Sequence, residues 1–452
     1  MTFYLNKLII NGVKNIDKPI ELLFSNKTIS SSIDCINSKV KAIYGPNGSG
    51  KSGIVSAVYI YKKLVDDPNG LNDKLLSSFI LEVVNKNTNT LSIEVYFSLF
   101  ESNIITSCYK HTIVLAVFED TITIKKEEIS ILKGKSIIDE NFKCLVLTEN
   151  GMLTHLKTKI SNKLTSEPIY INSLNLIDKH SITNTIFKFI KYDKDEYIGD
   201  DEVINSMLSI VLFSTKLIVE LNKEDTHTDY IINKIYEKFY SNNERFNNKF
   251  EQIISNIPKD NYFGALSTKN RDIVNVKEFN KYEENIDKLT KFIKLFKNDL
   301  DEIIIDKKID NDKYYCDKIF KYGDIQINIE FESTGIKKLV NLFFTLNACA
   351  NGSIAFIDEM DANLHDVYFA RLIEFYKNDS RGQLCFTTHN LEPINILKDS
   401  NHSLDFLSND SKVYSWVKNG NSSPLNKYIN GLIPYSPFNI DSFDFDLLLD
   451  DK

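Results

Sequence analysis

The hydrophobic pattern changes character along the chain. "FYLNKLIING" (3–12) alternates and then turns, which predicts an early or edge strand. "KVKAIY" (39–44) is a short apolar run. After a glycine-rich stretch, Ile54, Val58, Tyr61 and Val65 recur at helical spacing. Strand, loop and helix are thus expected in that order. "LSIEVYFSLF" (91–100) and "HTIVLAVFEDTITIKKEEI" (111–129) predict antiparallel strands with a hairpin. From about residue 150 the pattern is mostly helical and polar, with loops rich in Asn, Lys and Asp. One helix is predicted over 279–303, because Tyr282, Ile286, Leu289, Ile293, Phe296 and Leu300 form a stripe with charged flanks. Such a stripe usually packs in an intramolecular hairpin; the sharper alternative is an arm that pairs with another subunit.

Beyond this helix, Ile325, Ile327, Ile329 and Phe331 alternate with polar residues, predicting a strand with one buried face. "SIAFIDE" (353–359) and "LCFTTHN" (384–390) are apolar runs ending in polar residues, the signature of buried parallel strands with chemistry at their C-terminal ends. "SKVYSWV" (411–417) reads as the last strand. The tail carries Phe438, Ile440, Phe443, Phe445 and Leu447 among acids. It is expected to pack on its own core, with a docking peptide as the alternative. The expected fold class is α/β, divided into 1–150 (first part of the core, with a β subdomain), 151–315 (mainly helical insertion), 316–400 (second part of the core) and 401–452 (strand and tail).

Composition narrows the function. The 452 residues are 42% apolar, enough for a large core, and the net charge of -8 gives no global basic footprint for nucleic acid. A local basic groove stays open, although Arg245, Arg271, Arg371 and Arg381 are the only arginines. The cysteines Cys35, Cys108, Cys144, Cys316, Cys349 and Cys385 show neither metal-ligand spacing nor a disulfide framework, so buried free thiols are expected. The N-terminus lacks a signal-peptide pattern. Val203 to Leu221 is too short and polar to span a bilayer. A cytoplasmic protein without a membrane partner is expected.

"GPNGSGKS" (45–52) fits G-x-x-x-x-G-K-[ST] between the predicted strand and helix. The glycines let the backbone curl so that successive N–H groups converge on phosphate oxygens, and the helix dipole adds to the attraction. Gly45, Pro46, Asn47, Gly48, Ser49, Gly50, Lys51, Ser52 and Gly53 are therefore the candidate nucleotide site. Lys51 supplies a mobile charge for the β- and γ-phosphates and Ser52 a hydroxyl for Mg²⁺. Asp358 and Glu359 end a buried strand, where adjacent carboxylates are costly without a positive partner. Asp358 is the candidate Mg²⁺ ligand and Glu359 the candidate base for the attacking water. His389 could hydrogen-bond a γ-phosphate. Ser333, Thr334 and Gly335 lie at a predicted helix start. Ser333 could simply cap that helix, or the turn could form an anion site.

The order of the P-loop, "STGIKKL" (333–339), "IAFIDE" (354–359), "MDANLH" (360–365) and "TTHN" (387–390) resembles the ABC-type ATPases of the SMC/RecF/OLD class over roughly 1–120 and 320–400. The resemblance implies an ABC-type ATPase head with an antiparallel β subdomain and a helical insertion, using ATP and Mg²⁺. It also implies head-to-tail dimerisation or higher self-assembly, with Ser333, Thr334 and Gly335 acting in trans and a D-loop holding Asp361 and Asn363. Two departures stand out. The signature is not LSGGQ, and none of Gln252, Gln326 and Gln383 shortly follows the P-loop helix as a Q-loop glutamine. Within the class, the chain looks like the standalone ATPases of anti-phage defence, such as Septu-, PARIS- and RloA/AbiL-like systems. That likeness implies a slow ATPase, not itself a nuclease, that controls a separately encoded effector, often a nuclease. The alternatives are a RecF/SMC-like DNA-repair ATPase and a scaffold with structural ATP; a transporter's nucleotide-binding subunit is disfavoured because Ser333 lies 282 positions beyond Lys51.

Overall fold

The computed structural model describes residues 1–26, 39–67, 69–101, 104–133, 142–157, 178–184, 202–221, 272–310, 312–418, 423–434 and 436. The chain divides into two compact units, one of residues 1–221, 356–360 and 383–452, the other of 222–355 and 361–382. Along the chain run strands β1 (Thr2–Asn11), β2 (Ile20–Leu23) and β3 (Val40–Tyr44), then helices α1 (Lys51–Asp66) and α2 (Lys74–Val83). Strands β4 (Thr90–Glu101), β5 (Ile104–Phe118), β6 (Thr121–Leu132), β7 (Lys143–Glu149) and β8 (Met152–Leu156) follow, then α3 (Glu202–Lys216) and β9 (Leu217–Glu220). Next come β10 (Asp272–Asn275), α4 (Phe279–Lys294), β11 (Glu302–Asp310), β12 (Lys313–Tyr322), β13 (Ile325–Asn328) and α5 (Thr334–Ala350). The chain continues with β14 (Ile354–Ile357), α6 (Asp366–Asn378), β15 (Gln383–Thr387), α7 (Glu392–Leu397), β16 (Leu404–Leu407), β17 (Val413–Ser415) and α8 (Pro424–Ile429).

The first unit is an α/β structure with a seven-stranded sheet in the order β2-β1-β4-β5-β6-β7-β8 and a six-stranded sheet in the order β17-β16-β3-β15-β14-β9. The pairings of the seven-stranded sheet are antiparallel. Its β5–β6 hairpin turns at Glu119 and Asp120, both with positive φ, as a tight hairpin turn demands. β1 is not an edge: it lies between β2 and β4 and is buried on both faces from Phe3 to Leu8. In the other sheet β3 is flanked by β15 and β16, both parallel to it. Strands buried on both faces read as continuous apolar runs, which explains "KAIY" and "LCF".

Helix α1 is buried on nearly every side. Tyr61 Oη lies 2.9 Å from His111 Nδ1, and His111 Nε2 lies 2.9 Å from Glu127 Oε1. Glu127 in turn accepts from Ser181 Oγ and from the Ile182 N–H at 2.8 Å. Asn184 Nδ2 donates to the Leu64 and Asp67 carbonyls at 3.1 and 3.0 Å, satisfying backbone groups at the end of α1. Burial pushes the Tyr61 phenol up, with the Glu127 carboxylate adding to it. Helix α3 stacks Phe213 on Phe97 of β4 with ring centres 4.1 Å apart.

In the second unit a sheet in the order β10-β12-β11, with β13 on β12, packs with α4 and α5. Three expectations are corrected here. The helix expected to reach residue 303 ends at Lys294. The 295–300 segment closes by short-range bonds such as Phe296 N–H to Ile293 O at 2.9 Å, and β11 starts at Glu302. Its stripe of Tyr282, Ile286, Leu289 and Ile293 packs within its own unit, on sheet and helix rather than in a helical hairpin. The strand expected to reach Phe331 stops at Asn328, whose side chain caps a 3₁₀ turn at Glu330 N. Ile325 and Phe331 are exposed and only Ile329 is fully buried. "SKVYSWV" does hold the last described strand, β17, and the pattern does not reveal the strand before it, β16. Asp405 at its centre breaks the apolar run, yet is fully buried because Lys41 pairs with it.

Among the described residues, no helix is long and apolar enough to cross a membrane. The five described cysteines are free, and four of them are buried. Cys35 and the tail from Pro437 to Lys452 lie outside the described residues.

Candidate functional site

Three neighbouring strands of the six-stranded sheet end side by side. β3 leads into Gly45–Gly50, β15 into Thr388 and His389, and β14 into Asp358 and Glu359. Thr387 at the end of β15 is in register with Ile43 of β3, and its side chain meets Asp358. The glycine-rich loop, the carboxylate pair and His389 therefore belong to one edge of one sheet.

The loop is a cradle that side chains would fill. A Cβ at Gly45 would sit 2.5 Å from the Leu407 carbonyl oxygen and 2.6 Å from Ser49 Oγ. One at Gly50, which has φ +97°, would strike Ile16. Asn15 Nδ2 holds the Gly48 carbonyl at 2.5 Å. Lys51 is buried and its Nζ donates to the Gly45 and Pro46 carbonyls at 2.8 and 3.1 Å, so the ammonium lies inside the curl. α1 starts at Lys51 with no side-chain cap and no acid in its first turn. Ser49 Oγ is buried with no hydrogen-bond partner among the described residues. An orphaned hydroxyl, an uncapped helix start and an inward ammonium fit a polyphosphate. Asn47 and Gly48 are exposed, Pro46 and Ser52 are half-buried, and Gly53 is buried in α1.

Asp358 is buried and Glu359 half-buried. Asp358 Oδ1 accepts from Thr387 Oγ1 at 2.6 Å, and the Glu359 N–H donates to the same Thr387 oxygen at 2.8 Å. Glu359 takes φ +46°, the left-handed region that non-glycine residues avoid. His389 is exposed, and the loop after it is pinned by Tyr44 Oη to Asn390 O at 2.9 Å. The oxygen donors Ser52 and Asp358 suit Mg²⁺, a hard cation.

Ser333, Thr334 and Gly335 lie in the second unit, as do Asp361 and Asn363. Ser333 caps α5, accepting from the Ile336 N–H at 3.4 Å, and both Ser333 and Thr334 are exposed. A Cβ on Gly335 would sit 3.0 Å from the Asn363 carbonyl oxygen, so the two segments share one surface of that unit. The buried Glu332 accepts from the Ser333 N–H at 3.1 Å and from Tyr322 Oη at 2.5 Å. Burial, and then the Glu332 carboxylate, push the Tyr322 phenol up.

Sequence reasoning missed Asn15, Glu332 and Thr387. A lone polar residue at a strand end carries no periodic signal. Of the glutamines considered for a Q-loop, Gln383 instead clips β15 to β1, accepting from Leu5 N–H at 2.7 Å and donating to Leu5 O at 2.9 Å. Gln326 lies on β13, and Gln252 lies outside the described residues.

A family profile described as "AAA domain, putative AbiEii toxin, Type IV TA system" matches residues 157–394, just over half of the chain. The chain belongs to this AAA domain family. The matched span holds Ser333, Asp358, Glu359 and His389, whereas the loop before α1 of this AAA protein precedes it. The α/β fold of its first unit places the glycine-rich loop between β3 and α1, as in a P-loop protein. Among solved structures, an Smc head domain with an extended coiled coil from Pyrococcus furiosus, bound to the C-terminal domain of ScpA, is 17% identical. That match covers 95% of this chain and 99% of the other at TM-score 0.42. An Smc head domain with a coiled coil and joint from Pyrococcus yayanosii is 14% identical, covering 92% and 98% at TM-score 0.42. An SMC head domain from Thermotoga maritima is 15% identical, covering 92% and 99% at TM-score 0.31. No curated protein sequence matches the chain.

Proposed function

We propose that this AAA protein binds and hydrolyses ATP with Mg²⁺, and that two copies close head to tail on the nucleotide to control a separate effector. The observation that carries the reading is the placement of the glycine cradle and the Asp358–Glu359 pair at the ends of β3 and β14, on either side of β15. Gly45 to Ser52 embrace the phosphates, and Lys51 swings its ammonium from the loop carbonyls to the β- and γ-oxygens. Ser52 and Asp358 hold the Mg²⁺, which when bound neutralises charge on the phosphates. Glu359 orients and deprotonates the attacking water, and His389 donates to the γ-phosphate. Ser333, Thr334 and Gly335, with Asp361 and Asn363, serve the nucleotide of a second copy. The exposure of Ser333, Thr334 and Asn363, with Gly335 close to the Asn363 carbonyl in the second unit, supports that role.

The energetic logic is a population shift: ATP touches both surfaces in the closed pair and only one in the open form. The family's description as a toxin of a toxin–antitoxin system supports a defence role with a separately encoded partner. The anti-phage setting and a nuclease effector are part of this proposal.

Phosphate release and nucleotide binding by wild type, Lys51→Ala and Glu359→Gln test it. Lys51→Ala is expected to lose nucleotide. Glu359→Gln is expected to keep ATP, stop turnover and double in mass with ATP and Mg²⁺. Wild type with no turnover above Lys51→Ala would refute the enzyme reading, and a Glu359→Gln variant monomeric at saturating ATP would refute the closed pair.

A further inference from the structure

Thr387 is a buried hydroxyl at the end of an apolar strand, and both of its hydrogen bonds go to the carboxylate pair. Its oxygen accepts from the Glu359 N–H at 2.8 Å, and its one proton is directed to Asp358 Oδ1 at 2.6 Å. A threonine hydroxyl has a single proton, so with the Glu359 N–H fixed as donor the direction of the second bond follows. Asp358 Oδ1 is thereby an acceptor, and Oδ2 is the oxygen not used by Thr387. A third bond runs along the same strand end, from Met360 N–H to Thr387 O at 3.2 Å. The neighbouring Thr388 has different work: its hydroxyl accepts from the Asn390 N–H at 2.9 Å and shapes the loop after His389.

The Glu359 backbone makes this arrangement informative. Its φ of +46° is a conformation that a residue with a side chain holds only when its surroundings impose it. The N–H bond to Thr387 is one such constraint, and it fixes where the Glu359 side chain leaves the chain. One hydroxyl thus sets the rotation of one carboxylate and the backbone of the next.

We propose that Thr387 is the positioning residue of this site: it presents Asp358 to the metal and Glu359 to the water through one hydroxyl that donates to the first and accepts from the N–H of the second. This rests on the ATPase reading above. Thr387 touches neither nucleotide nor water in this scheme and acts only through the two acids. Partners of metal-holding side chains commonly contribute ten- to hundredfold in affinity or rate.

The full chain is compared as wild type, Thr387→Val, Thr387→Ser and Lys51→Ala. Binding of a fluorescent ATP analogue is measured in EDTA and in Mg²⁺, phosphate release gives kcat and KM, and thermal melting is followed without nucleotide. Thr387→Val is expected to bind the analogue in EDTA as wild type does, within about twofold. It is expected to lose most of the affinity gained on adding Mg²⁺ and to turn over about 10- to 100-fold more slowly. Thr387→Ser is expected to restore both to within about threefold, since it keeps the hydroxyl. A Thr387→Val protein with a wild-type Mg²⁺ response and kcat would overturn the proposal, and so would a Thr387→Ser protein as impaired as the valine. If Thr387→Val does not fold, Thr387→Cys against Thr387→Ser decides, because the thiol bonds weakly at similar size. Equal Mg²⁺ responses in those two would overturn it. Turnover absent from wild type would instead sink the ATPase reading, whereas turnover present in wild type and unchanged in Thr387→Val sinks this inference alone.

Discussion

Lys41 and Asp405 face each other inside the six-stranded sheet, 2.5 Å apart, with side chains 1% and 0% exposed. Ser415 Oγ donates to the other Asp405 oxygen at 2.6 Å. One ion pair therefore ties three neighbouring strands, the middle of which packs against the strand that enters the glycine cradle. Lys41→Met would leave a buried carboxylate unpaired, and the expected loss is about 3–5 kcal/mol of stability. The double variant Lys41→Met/Asp405→Leu is expected to regain most of it, as apolar replacements of buried pairs do. Urea unfolding of the three proteins checks this; a double variant no better than the single contradicts it.

The left-handed backbone of Glu359 predicts a trade between stability and turnover. Glu359→Gly removes the side-chain penalty at φ +46° and is expected to raise stability by about 1 kcal/mol. Glu359→Ala keeps the penalty and is expected to gain nothing. Both are expected to lose turnover. Differential scanning calorimetry beside a phosphate assay distinguishes the two.

Gly335 has room for a hydrogen but little for a methyl, because the Asn363 carbonyl would lie 3.0 Å from it. Gly335→Ala is expected to lose about 1–2 kcal/mol as the 361–364 turn shifts. Thr334→Ala, at an exposed neighbour, is expected to stay within about 0.5 kcal/mol of wild type. Under the trans reading, Gly335→Ala also slows turnover while leaving nucleotide binding to the monomer intact, which equilibrium binding at low protein concentration tests.

Lys63 sits buried in the last turn of α1, where burial, with Lys62 next in effect, lowers its ammonium pKa to about 8. In the unfolded chain a lysine holds its proton to about 10.4. Between these values the unfolded state binds the extra proton, so this residue makes stability rise with pH across the window. Lys63→Met is expected to flatten that rise and to add on the order of 1–2 kcal/mol at pH 7. Unfolding curves at pH 7 and 9.5 for both proteins measure the difference.

Much of this architecture is legible in the residues, for a physical reason. Strands such as Ile354–Ile357 and Gln383–Thr387 are buried on both faces, so their sequences are near-continuously apolar and end sharply where polar atoms become useful. Helix α1 is legible because glycines precede it and its apolar positions recur at helical spacing. What stayed hidden depends on tertiary partners. β16 carries Asp405 at its centre, and Lys41, 364 positions away, together with Ser415 makes that burial tolerable. The end of α4 at Lys294 was hidden because Phe296 and Leu300 keep the apolar stripe going, although the chain has already left the helix to reach β11. Thr387 and Glu332 were hidden because a hydrogen-bonding role at a strand or helix end leaves no mark on periodicity.

The position of β3 between two late strands has a bearing on synthesis. When the ribosome has made the cradle and its helix, both edges of β3 are still bare, since β15 and β16 come more than 300 residues afterwards. Leu5 likewise awaits its clasp from Gln383. A nascent chain thus emerges with its glycine cradle unsupported and an apolar strand uncovered, the condition in which chaperones engage. On the ATPase reading, the cradle gains both of its flanking strands only once Gln383–Leu407 have been made.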